Sequence, residues 1–132
     1  MFLLDTHVVL WSQLEPDRIG PTTAALLADS ANARAVSSFS TLEIARLCSQ
    51  GRLELALTPS EWVQSTRAAL SASRLELTDE IAAEAYSLPP PIHRDPADRV
   101  LAATARLGAL VLLTADRLLL RYPHVETLDA TK

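Results

Sequence analysis

The sequence is poor in the residue types that mark several common kinds of site. Its single cysteine, Cys48, excludes an internal disulfide and any cysteine-based zinc cage. Cys48 lies in an apolar helical pattern, so we expect a buried free thiol. With three glycines in all, the chain has neither a glycine-rich phosphate loop nor the G-x-S-x-G elbow of a serine nucleophile. The chemistry must therefore come from other side chains.

Long hydrophobic runs are also missing. The apolar start, Phe2 to Leu4, ends at Asp5 and no basic segment precedes it, so we expect no secretory signal. No later run is long enough to span a bilayer. The expectation is a cytoplasmic protein without membrane contact. With 132 residues, 48% apolar and 21% charged, the sequence predicts one folded domain over residues 1–132.

Positive charge is scarce, which bears on nucleic-acid binding. The net charge is −4, whereas nucleic-acid-binding surfaces are usually basic. The acidity is uneven, because residues 1–87 carry 6 basic and 11 acidic side chains and residues 88–132 carry 6 and 5. The three histidines, His7, His93 and His124, have no metal-ligand spacing, so a zinc site is disfavoured.

Hydrophobic patterns predict an α/β protein with an open, mainly parallel sheet. The run Leu110 to Thr114 is apolar throughout, as expected of a strand buried on both faces. The other predicted strands are Phe2–Asp5, Arg34–Ser37, Leu75–Thr78 and Val125–Leu128. The predicted helices are Pro21–Ala31, Thr41–Gln50, Ser60–Ser71, Asp79–Tyr86, Pro96–Leu107 and Arg117–Arg121. Strands and helices largely alternate, as right-handed βαβ units require.

Four carboxylates stand out, and each has a plain structural explanation. Ser40-Thr41-Leu42-Glu43 fits a capping box with Ser40 as N-cap, and Asp95-Pro96-Ala97-Asp98 has the same form with Asp95 as N-cap. Asp116 fits the N-cap of the helix at Arg117, and Asp5 fits a cap on the turn before Val8 to Trp11. Four independent helix caps are therefore one interpretation of these acids.

The positions of the acids favour a shared site. Asp5 and Asp116 follow strands, whereas Glu43 and Asp98 begin helices, and in a parallel sheet such places meet at the carboxyl edge. Asp98 is in helical register with Ala102, Ala105 and Ala109, while Arg99 and Arg106 share another face. Carboxylates converging there would repel one another unless a cation compensated them. Oxygen ligands without cysteine favour Mg²⁺ or Mn²⁺.

In order and spacing, four segments resemble the PIN-domain nucleases of the VapC toxin type. They are Asp5-Thr6, Ser40 to Glu43, His93-Arg94-Asp95-Pro96-Ala97-Asp98-Arg99 and Leu113-Thr114-Ala115-Asp116, and the match covers essentially the whole chain. The resemblance implies a three-layer α/β/α sandwich, a homodimer, RNA cleavage with Mg²⁺ or Mn²⁺, and an antitoxin partner. It places the catalytic, metal-binding acids at Asp5, Glu43, Asp98 and Asp116.

The expected mechanism is hydrolysis by a water that the metal activates and Glu43 orients. Supporting polar groups are expected at Thr6, Ser40 and Thr114, with Asp95 as a cap, a metal ligand or both. An arginine rim that touches RNA or partner is expected from Arg94, Arg99, Arg117 and Arg121. Two alternatives stay open: a non-catalytic module whose acidic groove holds a basic partner segment, and a metal-dependent phosphatase acting on a small molecule.

Overall fold

The computed structural model describes residues 1–92 and 94–132; His93, which belongs to the predicted motif, lies outside the described residues. The five strands of this part form one sheet in the order β3-β2-β1-β4-β5, and every neighbouring pair is parallel. Their bounds are β1 (Phe2–Leu4), β2 (Arg34–Ser37), β3 (Ser73–Leu75), β4 (Val111–Thr114) and β5 (Thr127–Asp129).

Helices cover both faces of this sheet, which confirms the predicted three-layer α/β/α sandwich. The helices of the described residues are α1 (Thr6–Leu14), α2 (Pro21–Ala28), α3 (Ser38–Ser49), α4 (Pro59–Leu70), α5 (Asp79–Glu84), α6 (Pro96–Gly108) and α7 (Arg117–Arg121), with a short 3₁₀ turn at Pro16–Arg18. None of them is both long and apolar enough to cross a membrane.

The two layers of core follow from alternation along the central strands. Leu3 of β1 and Leu112 of β4 pair in register and belong to the cluster that contains α6 and Tyr122. The next residues, Leu4 and Leu113, face the opposite way, into the cluster formed with α1, α3 and α4. Successive side chains on a strand point to opposite faces, so an uninterrupted apolar run is what a doubly covered strand needs.

Both tryptophans belong to the interior. Trp11 and Trp62 are each 8% exposed. Cys48 is only half-buried, so the prediction of a buried thiol was wrong.

Several element boundaries differ from the predicted ones for local reasons. The sequence indicated only a turn before Val8, whereas α1 begins at Thr6 and runs nine residues. Helix α3 starts at Ser38, because Ser37 is its N-cap and accepts a hydrogen bond from Phe39 N at 3.1 Å. Ser40 is thus inside the helix, and the predicted Ser40 cap was wrong. Gly108 is still helical, and Ala109 takes the left-handed C-cap conformation with φ 50°.

The connections place a topological switch beside β1. From β1 the chain builds β2 and then β3 on one side of the sheet, and then crosses to add β4 and β5 on the other side of β1. The loops that follow the carboxyl ends of β1 and β4 therefore diverge from each other. Open α/β sheets bind ligands in the crevice formed at such a point.

Candidate active site

The four predicted acids line one cleft at the carboxyl edge of the sheet, which we call the acidic cleft. The cleft has a volume of about 500 Å³. Asp5 follows β1, Asp116 follows β4 after one residue, and Glu43 and Asp98 project from α3 and from the first turn of α6. Residues separated by up to 111 positions along the chain are thereby brought together, since the parallel strands β1 and β4 end side by side.

Asp5 is the most deeply placed of the four carboxylates. It is 6% exposed, and its Oδ2 accepts a 2.6 Å hydrogen bond from the hydroxyl of Thr114 at the end of β4. Burial raises the pKa of Asp5 above its ordinary value, although the hydrogen bond from Thr114 opposes the shift. Asp5 occupies the N-cap position of α1, but its side chain makes no capping bond there. Its carboxylate therefore lines the cleft and does not cap the helix.

Glu43 is held by a buried hydroxyl pair that sequence reasoning treated only as supporting groups. Thr6 Oγ1 donates to Glu43 Oε1 at 2.5 Å and lies 2.8 Å from Ser40 Oγ. The hydroxyls of Thr6 and Ser40 are almost fully buried. This contact connects α1 to α3. Burial raises the pKa of Glu43, and the bond from Thr6 opposes that shift.

Asp98 shows how strongly the carboxylates affect one another. Burial first, and then the negative charges of Asp116, Asp95, Asp5 and Glu43, raise its pKa to about 8 from the ordinary 3.8. The helical register predicted for Asp98 is correct for Ala102 and Ala105, which are fully buried, whereas Ala109 lies beyond the helix and is exposed. A site in which several carboxylates raise one another's pKa favours a cation.

Two other acids do cap helices. Asp116 Oδ1 accepts hydrogen bonds from Leu118 N at 2.8 Å and Leu119 N at 3.1 Å. Asp95 Oδ1 accepts from Ala97 N at 2.8 Å, which confirms the predicted cap, and Asp95 also lines the acidic cleft. Capping and a place in the cleft therefore coexist at both positions.

Four separate caps do not explain the acids. The interpretation holds for Asp116, but Asp5 makes no capping bond and the N-cap of α3 is Ser37 rather than Ser40. Glu43 is bonded to Thr6 on another helix. The feature common to all four carboxylates is the cleft.

Arginines reach the cleft from positions that the sequence did not single out. Arg18, Arg46 and Arg52 line it, and Arg18 lies over the Trp11 ring with Cζ 4.3 Å from the ring centroid. Arg46 could have been found by spacing, since it follows Glu43 by three residues on α3 and so shares its face. Arg18 and Arg52 belong to connections, where no periodicity applies.

The arginines expected at the rim lie elsewhere. Arg94 lines a neighbouring groove with Phe39, Leu42 and Glu43. Arg99 and Arg121 line a separate cleft on the α5 side of α6. Within the described part of the chain, neither these two nor Arg117 is among the residues that line the acidic cleft. Their predicted contact with RNA stays a prediction.

The donor chemistry of the cleft fits a hard divalent cation. Its acids offer carboxylate oxygens, with Thr6 beside them, and Mg²⁺ is usually bound by one or two carboxylates and several retained waters. Among the residues that the structure describes, no three His, Cys, Asp or Glu side chains are grouped so that they could hold a metal ion by themselves. The fit is therefore to a water-rich site rather than to a complete protein cage.

Comparison with known proteins assigns the chain to a family. The PIN-domain family profile matches residues 2–125. The chain is 36% identical over 122 residues to Ribonuclease VapC22 of Mycobacterium tuberculosis, covering 92% of each protein. The chain therefore belongs to the PIN-domain family and, within it, to the VapC-type proteins.

Solved structures agree on the fold. A toxin-antitoxin complex from Klebsiella pneumoniae superimposes with a TM-score of 0.66 at 20% identity, with 98% of both chains covered. FitAcB from Neisseria gonorrhoeae superimposes with a TM-score of 0.65 at 22% identity, again covering 98% of each chain. At these identities the likeness concerns the fold alone.

Proposed function

We propose that this protein is a Mg²⁺- or Mn²⁺-dependent endoribonuclease and the toxin of a toxin-antitoxin pair. The observation that carries the proposal is the convergence of Asp5, Glu43, Asp98 and Asp116 on one cleft at the switch point of the sheet. Membership of the PIN-domain family and similarity to a ribonuclease of the VapC type support the same activity.

Asp5, Asp98 and Asp116 would hold the metal, directly or through water. A bound divalent ion supplies positive charge that lowers the pKa of a water molecule and stabilises the charge developing on the phosphate. Thr114 fixes one oxygen of Asp5, and the backbone amides of α7 fix one oxygen of Asp116. Both carboxylates are thus oriented before substrate arrives.

Glu43 would orient the attacking water. Its Oε1 is occupied by the Thr6 hydroxyl, which leaves Oε2 to accept a hydrogen bond from the water. Arg18, Arg46 and Arg52 would offer guanidinium groups to the phosphates beside the scissile bond. They also answer the objection from net charge, since positive charge is needed only where the strand crosses the cleft.

The partners follow from the same proposal. A cognate antitoxin would occupy the groove, in keeping with the toxin-antitoxin complexes among the similar folds. We keep the homodimer and the cytoplasmic location as parts of this proposal. Copurification with the antitoxin and light scattering of the purified chain test the partner and the dimer.

Cleavage of single-stranded RNA, compared in Mg²⁺ and in EDTA, tests the activity. We expect cleavage that requires the metal, and no turnover of a simple phosphate monoester. Turnover of the monoester without RNA cleavage would favour the phosphatase alternative. If neither substrate reacts and Mg²⁺ leaves the melting temperature unchanged, the protein is a non-catalytic interaction module.

A further inference from the structure

A second cleft lies on the other side of the first turns of α6 and α7. Its volume is about 590 Å³. Its lining includes Tyr86, Arg99, Leu118, Arg121 and Tyr122, together with apolar residues between positions 88 and 92. Among the described residues, its lining contains two arginines and no acid, in a protein whose net charge is −4. We call it the tyrosine cleft.

At two places, residues close together in the sequence line the acidic cleft and the tyrosine cleft. On α6, Asp98 lines the acidic cleft and the next residue, Arg99, lines the tyrosine cleft. At α7, Asp116 lines the acidic cleft, and Leu118, whose amide Asp116 caps, lines the tyrosine cleft. The first turns of α6 and α7 therefore separate the two clefts, and a strand whose phosphate lies among the four acids would have to cross them to reach the tyrosine cleft.

The walls of the tyrosine cleft are held in place by named contacts. Arg99 Nη1 donates to the Ala85 carbonyl at 3.1 Å, and its Cζ lies 5.0 Å from the centroid of the Tyr86 ring. The Tyr122 hydroxyl donates to the Pro89 carbonyl at 2.7 Å. This bond connects the three consecutive prolines at 89–91 to the end of α7. The site is thus built before any ligand binds.

The exposed side chains of the tyrosine cleft suit a nucleotide. Tyr86 is 68% exposed, so one of its faces is available while the Arg99 guanidinium lies near the ring. Within the described residues, neither Arg99 nor Arg121 pairs with a carboxylate at ion-pair distance. Aromatic rings that stack on bases and cations that follow the backbone are the two elements of single-strand binding.

Resting on the proposed function, we infer that the tyrosine cleft binds the RNA nucleotides on one side of the scissile bond. A base stacks on Tyr86, and Arg121, together with Arg99, contacts the phosphates. This inference defines the substrate as single-stranded at that position, because a base in a duplex is not available to stack on a side chain.

Fluorescence anisotropy of a labelled single-stranded RNA pool tests the inference. All proteins carry Asp116→Asn, which retains a capping oxygen and prevents cleavage under the proposed function, and Mg²⁺ is present throughout. We expect Tyr86→Ala to raise the Kd about tenfold and Tyr86→Phe to leave it unchanged, since phenylalanine keeps the stacking face. Arg121→Gln should also weaken binding and reduce the slope of log K against log salt by about 1.

Arg74→Gln is the matched control. Arg74 is on the edge strand β3, is exposed and pairs with Glu76, so its loss should leave RNA affinity unchanged. The inference is overturned if Tyr86→Ala and Arg121→Gln both bind RNA within about twofold of the parent. It is also overturned if Tyr86→Ala dissociates a dimer or releases a copurified antitoxin while RNA affinity stays the same, because the cleft would then be a protein interface.

Cleavage by the wild-type chain separates this inference from the proposed function. If the wild type cleaves RNA and the variants bind normally, the tyrosine cleft alone is wrong. If the wild type neither binds nor cleaves RNA, the proposed function fails and this inference fails with it.

Discussion

The Thr6 hydroxyl donates to Glu43 Oε1 at 2.5 Å, and this single bond joins the first helix of the protein to an acid 37 residues later. Thr6 is 1% exposed, so water cannot replace it easily. Its Oγ1 also contacts Ser40 Oγ at 2.8 Å. The position of Glu43 in the acidic cleft therefore depends on a residue that follows Asp5 directly.

Replacing Thr6 should show how far RNA cleavage depends on the orientation of Glu43, as distinct from its presence. Thr6→Val preserves shape but leaves Glu43 without its donor and the buried Ser40 hydroxyl without its partner. We expect a loss of about 1–3 kcal/mol in the free energy of unfolding and about 10–100-fold in RNA cleavage. Thr6→Ser keeps the hydroxyl and should retain most activity. Equal cleavage by the wild type and Thr6→Val would contradict the proposed role of Thr6.

Mg²⁺ should stabilise the folded protein. A ligand that binds only the native state adds about 1.4 kcal/mol at ten times its Kd, which corresponds to a rise of several degrees in Tm. Differential scanning fluorimetry in EDTA and in millimolar Mg²⁺ measures the shift. The rise should be absent in Asp98→Asn. If Asp98→Asn responds to Mg²⁺ as the wild type does, Asp98 does not contribute to the metal site.

Stability of the metal-free protein should fall as pH rises through the neutral range. The pKa of Asp98 is about 8 in the fold, against an ordinary 3.8, so between these values the folded state holds a proton that the unfolded chain has released. Unfolding therefore releases protons, and its free energy decreases with pH over that window and levels off above about pH 8. The negative neighbours responsible are Asp116, Asp95, Asp5 and Glu43.

Melting temperatures in EDTA across this pH range check the sign. The decline should be smaller in Asp98→Asn, because asparagine does not titrate, and Mg²⁺ should reduce it in the wild type by compensating the ionised acids. Identical pH profiles for the wild type and Asp98→Asn in EDTA would mean that Asp98 does not experience this repulsion.

Asp116 combines a cap and a candidate ligand, and two substitutions distinguish the roles. Asp116→Ala removes the acceptor for Leu118 N and Leu119 N and should cost about 0.5–2 kcal/mol in the free energy of unfolding. Asp116→Asn keeps an oxygen acceptor and should cost less. Both should abolish RNA cleavage. Chemical denaturation measures the loss of stability, and the cleavage assay measures the loss of activity. Full activity in Asp116→Asn would mean that Asp116 acts only as a helix cap.

The sequence predicted features that depend on neighbours along the chain. The caps at Asp95 and Asp116 each involve an amide two residues away, and both were visible as motifs. The carboxyl-edge position of Asp5 follows from the apolar strand before it. The parallel sheet follows from the apolar run at Leu110–Thr114, because such a run needs helices on both faces.

Features that depend on contacts between distant segments were missed. The contact of Thr6 with Ser40 and Glu43 spans more than 30 residues, so Ser40 was interpreted as a local cap. The approach of Arg18 to Trp11 and the division of the arginines between two clefts depend on loop paths that carry no periodicity. Long-range packing sets these positions, and propensity and spacing do not encode it directly.

Asp5 provides the most direct test of the four-carboxylate site. Asp5→Asn preserves size and an oxygen that can accept from Thr114, so the fold should be retained while the charge in the cleft is lost. Asp79→Asn, an exposed acid in the first turn of α5, is the control. The measurement is the rate of RNA cleavage in Mg²⁺ by folded proteins. We predict cleavage by the wild type and Asp79→Asn and none by Asp5→Asn; undiminished cleavage by Asp5→Asn would contradict the account.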